Sequence, residues 1–417
     1  MPCASETAIR PQPRAATSQV PAIEFVLAGN GPGELHGWVA PVARAARALV
    51  PGAASDVRLT LALTPTQFAG GRERAVVESW NLFDRILDPA EAVRVSLGLE
   101  RYAVRPPGVL VHLGGDLLLS ARLAATLHIP ACAFAETTLI ARRHRPFQRV
   151  FAATAEVARD LIARGVPDAR VLVTGDPRGD VLTMTGRGTP ATPPTGGGPV
   201  LSFLPGSRDR FFAILAPFFL ETARSVAHRA PEVRSQFLVS EFLTPSLVAE
   251  VMAEARTRHG SSVSWITEEG WRAVARSDFA VTIPGTNTLE LAMAAIPFAV
   301  VVPTQHVARM PVEGMLEWIA RLPGLGYPLR RAGLSAYLRK NRYLAIPNQR
   351  AGYALIPEWI GRLQPADVAE RVVTLLADGG ALEAMRASLR GLTLARPGAA
   401  AQIVTEALRV ASAPEAP

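Results

Sequence analysis

Short apolar runs rich in β-branched residues recur along this 417-residue chain, and each is followed by a longer stretch with helical spacing. Strands of that kind bury both faces only when helices cover both sides of a parallel sheet, so the alternation restricts the chain to doubly wound α/β architecture. One group of runs falls at 23–28, 57–63, 85–87, 109–113, 131–134, 150–153 and 170–173, and a second at 200–204, 236–239, 263–266, 279–283 and 298–302. A prior of roughly 150 residues per domain also favours two sheets. Between the groups, 185–199 carries proline breaks and the run Gly196-Gly197-Gly198, the composition of a linker. The expected organisation is a disordered tail over 1–20, a first Rossmann-like half over 21–184, the linker over 185–199 and a second Rossmann-like half over 200–356. Helices over 357–417 are expected to return to the first half, with Pro357 and Trp359 marking the crossing and an interdomain cleft between the halves.

Composition removes several function classes. Hydrophobic residues at 49% and charged residues at 19% exclude a disordered chain. No run approaches the roughly 20 apolar residues that span a bilayer, and the N-terminus lacks a secretion signal, so a location inside the cell is expected. Cys3 and Cys132 are too few for a disulfide framework or a thiolate metal site. A net charge of +8 suits anionic lipid, phosphorylated substrates or nucleic acid. Because Lys340 is the only lysine among many arginines, base composition accounts for much of that charge, and no nucleic-acid partner is inferred from it.

Four loops carry candidate chemistry. The first strand runs into Gly29-Asn30-Gly31-Pro32-Gly33-Glu34-Leu35-His36-Gly37, where glycines permit a sharp turn and close approach to a ligand. Glu34 occupies the place of the third glycine of a dinucleotide fingerprint, and the second strand ends without a ribose-binding carboxylate, which argues against that cofactor. Glu34 and His36 are read as acceptor-binding or proton-handling groups, with helix capping as the alternative. Asp116, after His112-Leu113-Gly114-Gly115, is either a proton acceptor for an attacking hydroxyl or the N-cap of the next helix. In the second half, Gly206-Ser207-Arg208 offers amides and a guanidinium to phosphate oxygens. Gly285-Thr286-Asn287-Thr288-Leu289-Glu290 opens a helix whose first turn suits phosphates and whose Glu290 suits ribose hydroxyls, although the same residues also form a capping box.

These motifs resemble, in order, those of lipid A disaccharide synthase, a glycosyltransferase family of GT-B architecture: Gly206-Ser207-Arg208, Gly285 to Glu290, Ile346-Pro347-Asn348 with Ala351-Gly352, and Pro357-Glu358. The opening turn with Leu35-His36-Gly37 is similar too. The resemblance implies an inverting, metal-independent transfer of a diacylated glucosamine from UDP to a lipid-linked sugar at the cytoplasmic membrane face. It also implies that Arg208, Thr288 and Glu290 hold UDP, that Asn348 lines the cleft and that Asp116 lies near the acceptor hydroxyl. No cofactor is expected beyond the UDP-sugar substrate, and the chain has no Asp-x-Asp pair of the kind that carries a divalent ion. The acceptor side departs from the family. Ala135-Glu136-Thr137-Thr138-Leu139-Ile140-Ala141 replaces the usual Ser-Pro-Ser-Val-Trp-Ala-Trp, and Asn30, Pro32 and Glu34 alter the first turn. A related GT-B transferase with another lipid acceptor is therefore an alternative, and two other classes share these features: UDP-N-acetylglucosamine 2-epimerases, which need carboxylates to move a proton at the second sugar carbon, and a nucleotide-sugar sensor.

A transferase with a lipid acceptor must reach the bilayer. Arg142, Arg143 and Arg145, and the basic aromatic stretch 321–343, combine cations with apolar groups and are the candidate membrane or acceptor contacts, against the reading of a solvated basic face. The expected location is therefore cytoplasmic and peripheral on the inner membrane.

Overall fold

The computed structural model describes residues 23–48, 57–65, 71–184, 197–259, 263–267, 270–309, 342–392 and 398–413. The expected tail 1–20 and most of the linker lie outside them, as does the stretch 321–343 except for Arg342 and Tyr343.

The first sheet contains β1 (Ile23–Gly29), β2 (Val57–Leu63), β3 (Arg85–Leu87), β4 (Gly108–His112), β5 (Ala131–Ala135), β6 (Phe147–Ala152) and β7 (Val171–Val173) in the order 3-2-1-4-5-6-7. The second contains β8 (Val200–Leu204), β9 (Arg234–Leu238), β10 (Val263–Ile266), β11 (Phe279–Thr282), β12 (Phe298–Pro303) and β13 (Glu358–Gly361) in the order 10-9-8-11-12-13. Every strand pairing is parallel. This is a two-domain GT-B-like α/β fold. Alternating side chains feed cores on both faces of each sheet. In β1, Phe25 and Leu27 enter one cluster and Val26 the other, and in β8 Phe203 and Leu204 divide the same way. No helix among the described residues is long and apolar enough to cross a membrane.

The C-terminal boundary differs from expectation. Residues around Pro357 and Trp359 do not cross back: Glu358–Gly361 adds the sixth strand to the second sheet, beside β12. The helix Pro365–Ala377 packs on the long helix Asp209–Arg229, and the helix Gly379–Gly391 packs against Thr286–Met293, so both stay in the second half. Only Ala399–Ser412 returns, burying Ala400, Ile403, Val404, Ala407 and Val410 in the first core. Its start is fixed by Asp180, whose carboxylate accepts from Gly398 N at 2.5 Å and Ala400 N at 2.7 Å. A four-residue strand with one polar end carries too little periodicity to be told from a loop.

Candidate functional site

In both halves the loops that follow the strands meet at a common cleft of about 420 Å³. Its walls come from Pro32, Gly33 and His36 after β1, and from Gly206, Ser207, Glu241, Thr286, Asn287 and Glu290 in the second half. Ligands of open α/β sheets bind at this carboxyl edge, and the topology places both edges together.

The second-half wall has the form of an anion site. Gly285, at φ 143°, turns the chain in a conformation that L side chains rarely adopt, and the helix Thr286–Met293 starts directly after it. That aims the first amides of an eight-residue helix at the cleft, with Thr286, Asn287 and Glu290 on its lining. Gly206 and Ser207 bring a second turn to the same wall, and Arg208 is the N-cap residue of the long helix Asp209–Arg229.

Two expected donor residues serve the fold instead. Thr288 is fully buried; its hydroxyl donates to Gly285 O at 2.7 Å and accepts from Ile346 N at 3.2 Å, joining the short helix Ile346–Ala351 to the Gly285 turn. Asn348 is fully buried as well. Its Nδ2 donates to Ile356 O and Glu358 Oε1, and its Oδ1 accepts from Leu355 N and Ile356 N. With these four bonds made inside the loop, Asn348 has no part in lining the cleft. Glu358 in turn accepts from Leu344 N and Ala345 N, so Pro357-Glu358 and Asn348 form one buried loop lock.

On the first-half wall, Pro32–Glu34 forms a short helical turn that passes into a π-helical turn over Leu35–Val39. Glu34 accepts from Asn30 N at 3.1 Å, and burial pushes its carboxyl above the usual carboxylate range. It packs against Gly114, where a Cβ would lie 2.0 Å from Glu34 Oε2, so Glu34 and the loop leading to Asp116 are in contact. Asp116 itself is exposed, and its Oδ1 accepts from Leu118 N at 2.7 Å and Leu119 N at 2.9 Å, which is the capping geometry. His112 beneath it bonds Ser120 Oγ at 2.9 Å, and burial lowers its pKa to about 4. His36 reaches the cleft and pairs with Glu241 of the other half. Arg142 and Arg143 end a 3₁₀ turn after β5, and Arg145 follows; all three are exposed.

The glycines of this turn make room for protein. A Cβ at Gly33 would lie 2.9 Å from Thr286 Oγ1, and one at Gly37 would lie 2.8 Å from Arg178 Cγ. Arg178 was not singled out from the sequence, yet it anchors a buried charge network. It is 1% exposed, bonds Asp176 Oδ2 at 3.1 Å and Glu136 Oε1 at 2.7 Å, and its guanidinium lies 4.3 Å from the Trp38 ring centre. Arg350 of the second half approaches the same Glu136 oxygen at 3.6 Å. Although burial opposes charge on both, Arg178 is held above its ordinary pKa by Asp176 and Glu136, and Glu136 below its own by Arg178 and Arg350. The altered stretch 135–141 therefore contributes a carboxylate to the seam between halves. The Asp-Pro-Arg sequence at 176–178 gives no periodic signal that could have announced it.

Comparison with known proteins divides along the same line. Residues 196–308 match the lipid-A-disaccharide synthetase family model. The lipid-A-disaccharide synthase of Burkholderia mallei is 28% identical over 214 residues, 51% of this chain and 48% of that protein. The Azotobacter vinelandii protein of the same name is 29% identical over 207 residues, covering 47% of each. The chain thus spans about half the length of the curated relatives it matches. Among solved structures, a UDP-N-acetylglucosamine 2-epimerase superposes with a TM-score of 0.55 at 15% identity, over 96% of this chain and 99% of that one. The Neisseria meningitidis UDP-GlcNAc 2-epimerase, solved with UDP-GlcNAc, gives 0.52 at 13% identity over 93% and 99%. At such identities the likeness is of fold alone. The synthetase-like segment contains β8 to β12 with the turns at Gly206 and Gly285, whereas the first-half wall lies outside it.

Proposed function

We propose that this chain is an inverting glycosyltransferase that moves a glucosamine-type sugar, diacylated in the related enzymes, from UDP to a lipid-linked sugar acceptor without a metal ion. The observation that carries the reading is one of position. Every second-half residue lining the cleft, from Leu204 to Glu290, falls within the segment that matches the synthetase model. In this reading the diphosphate rests on the amides at Gly206, Ser207 and the start of Thr286–Met293, with Arg208 beside it. Glu290 takes the ribose hydroxyls, and Leu204, Leu238, Val239 and Trp271 supply the apolar wall for the base. Fixed amides and a guanidinium neutralise the leaving diphosphate, the role a metal ion has in other transferases.

The acceptor hydroxyl attacks the anomeric carbon from the face opposite the diphosphate. Of the proton-handling candidates, His36 is the one on the cleft wall, while half-buried Glu34 packs against Gly114 and Asp116 is engaged as a cap. The lipid portion belongs at the carboxyl edge of the first sheet. There Leu118 and Leu139 are 52% and 81% exposed, and Arg142, Arg143 and Arg145 follow Leu139 in sequence. Exposed apolar groups beside arginines suit an anionic bilayer surface, which makes the protein peripheral on the cytoplasmic face of the inner membrane.

Incubation with UDP-sugars and lipid extract tests the reaction. Free UDP with a new glycolipid is expected; an isomerised sugar nucleotide would make the chain an epimerase, and neither product would make it a sensor. Calorimetry tests the donor site, since Arg208→Ala is expected to weaken UDP binding by roughly 1.5 to 3 kcal/mol. Unchanged affinity in both Arg208→Ala and Glu290→Ala would remove UDP from this cleft. For docking, Arg142, Arg143 and Arg145 changed together to Gln should reduce sedimentation with anionic vesicles at low salt, and equal partitioning would eliminate this segment.

A further inference from the structure

The segment that follows β9 belongs to both halves. Its residues Val239, Ser240, Glu241 and Phe242 line the cleft, yet Phe242 is 2% exposed and joins the apolar cluster of the first half. The Phe242 ring meets the His36 imidazole edge-on at 5.4 Å between centroids, and Trp80 meets the same imidazole at 5.3 Å. Glu241 Oε1 pairs with His36 Nε2, and Arg72 of the first half donates to Leu243 O. At its far end the segment is tied down by Asp209, which accepts from Thr244 N at 2.8 Å and Thr244 Oγ1 at 2.5 Å. Asp209 opens the helix that follows the Gly206-Ser207 turn. Residues 240–244 thus fasten the proposed phosphate turn on one side and the His36 wall on the other.

The pairing has chemical content. An ionised carboxylate only accepts hydrogen bonds, so Glu241 fixes the proton on His36 Nε2 and leaves Nδ1 as the basic nitrogen of the neutral ring. Burial raises the Glu241 carboxyl, but hydrogen bonds from His36 and Trp80, with Arg44 nearby, outweigh it and hold the group below the usual range. A carboxylate behind an imidazole orients the ring and stabilises the imidazolium formed when it takes a proton. In this protein the two members come from opposite halves.

We propose that Glu241 is the positioning residue for His36, and that seating of Phe242 in the first half assembles this proton-accepting pair across the cleft. The proposal rests on the transferase reading. As the acceptor O–H bond breaks, its proton passes to His36 Nδ1. The oxygen bonds the anomeric carbon, and the carbon–oxygen bond to the diphosphate breaks with its electron pair leaving on UDP. The imidazolium, held by Glu241, then returns the proton to solvent.

The test is a cycle of full-length variants, His36→Gln, Glu241→Gln and both together, assayed for transfer from UDP-sugar and for UDP binding by calorimetry. Each single change should lower kcat about 10- to 100-fold with UDP affinity within about threefold, and the double variant should be no slower than His36→Gln alone, because groups acting as a unit are not additive. Effects that multiply, or a Glu241→Gln kcat within twofold of wild type, would overturn the positioning role. X-ray scattering of the unliganded chain provides a readout independent of activity: Phe242→Ala should enlarge the radius of gyration as the halves separate. An unchanged radius overturns the clasp. Enlargement with no sugar transfer by wild type instead overturns the transferase reading and the proton role, and leaves the clasp standing.

Discussion

The two glycine turns that face each other across the cleft use their glycines for opposite purposes. Beyond Gly285 a Cβ would meet nothing within 4 Å, and the residue is glycine because φ is 143°. At Gly33 and Gly37 neither φ is positive, and a Cβ would strike Thr286 or Arg178. One turn keeps space open in front of a helix N-terminus, and the other is filled by protein. A ligand-binding edge and a domain seam can therefore carry the same short glycine-rich signature, and only the neighbours distinguish them.

If the first turn is a seam locked by charge, its failure should register in stability. Arg178→Met leaves Asp176 fully buried without a cation and half-buried Glu136 with Arg350 alone, so the unfolding free energy from urea titration should fall by roughly 3–5 kcal/mol while UDP affinity changes little. A loss under about 1 kcal/mol would mean that the network is incidental. The second-largest effect comes from His112, beneath the same edge. Burial lowers its folded pKa to about 4, so the unfolded chain binds the proton first as pH falls. Stability is then fully present above the ordinary histidine pKa of about 6.5 and is lost as pH drops toward about 4, by at most roughly 3 kcal/mol. His112→Gln should flatten that acid limb in thermal scans; a variant that keeps the same limb assigns it elsewhere.

The open turn should respond differently. Gly285→Ala places a side chain where φ is positive, costing roughly 1–3 kcal/mol of backbone strain, and should weaken UDP binding together with stability. Stability loss with full UDP affinity would break the comparison, because the open turn would then be structural too. The smallest effect is expected at Asp116, where Asp116→Ala should cost about 1 kcal/mol as a lost cap. If Asp116→Asn instead slows transfer by about 10² to 10⁴ with stability intact, Asp116 is the base and the first edge carries the chemistry at a place other than His36.

Much of this was legible in the chain itself. Each of the apolar runs read as strands forms one: the central strands are buried on both faces and so apolar along their length, and the edge strands β7 and β10 keep the same alternation with helical stretches. β13 escaped because Glu358–Gly361 is four residues long with a charged residue first and a glycine last, so it carries no apolar run. The cleft-lining turn after Gly285 was legible as well, although its members were not separable by spacing. Thr288 and Glu290 stand two residues apart on one helix, yet one bonds the backbone of the Ile346–Ala351 helix and the other faces the cleft.

The sequence alone determined the strands β1 to β12, the two halves and the turn at Gly285, since each is set by local periodicity or by a backbone conformation that glycine adopts without strain. Tertiary structure decided what the polar side chains do. Asn348 became a loop lock, Glu136 a shared carboxylate between Arg178 and Arg350, and Glu241 the partner of His36. The last two join residues more than forty positions apart, and His36 with Glu241 more than two hundred, so no local pattern records them. A charged group takes whichever partner the fold brings within a few ångströms, and for Glu136 with Arg350 and His36 with Glu241 that distance exists only once both halves have closed on each other.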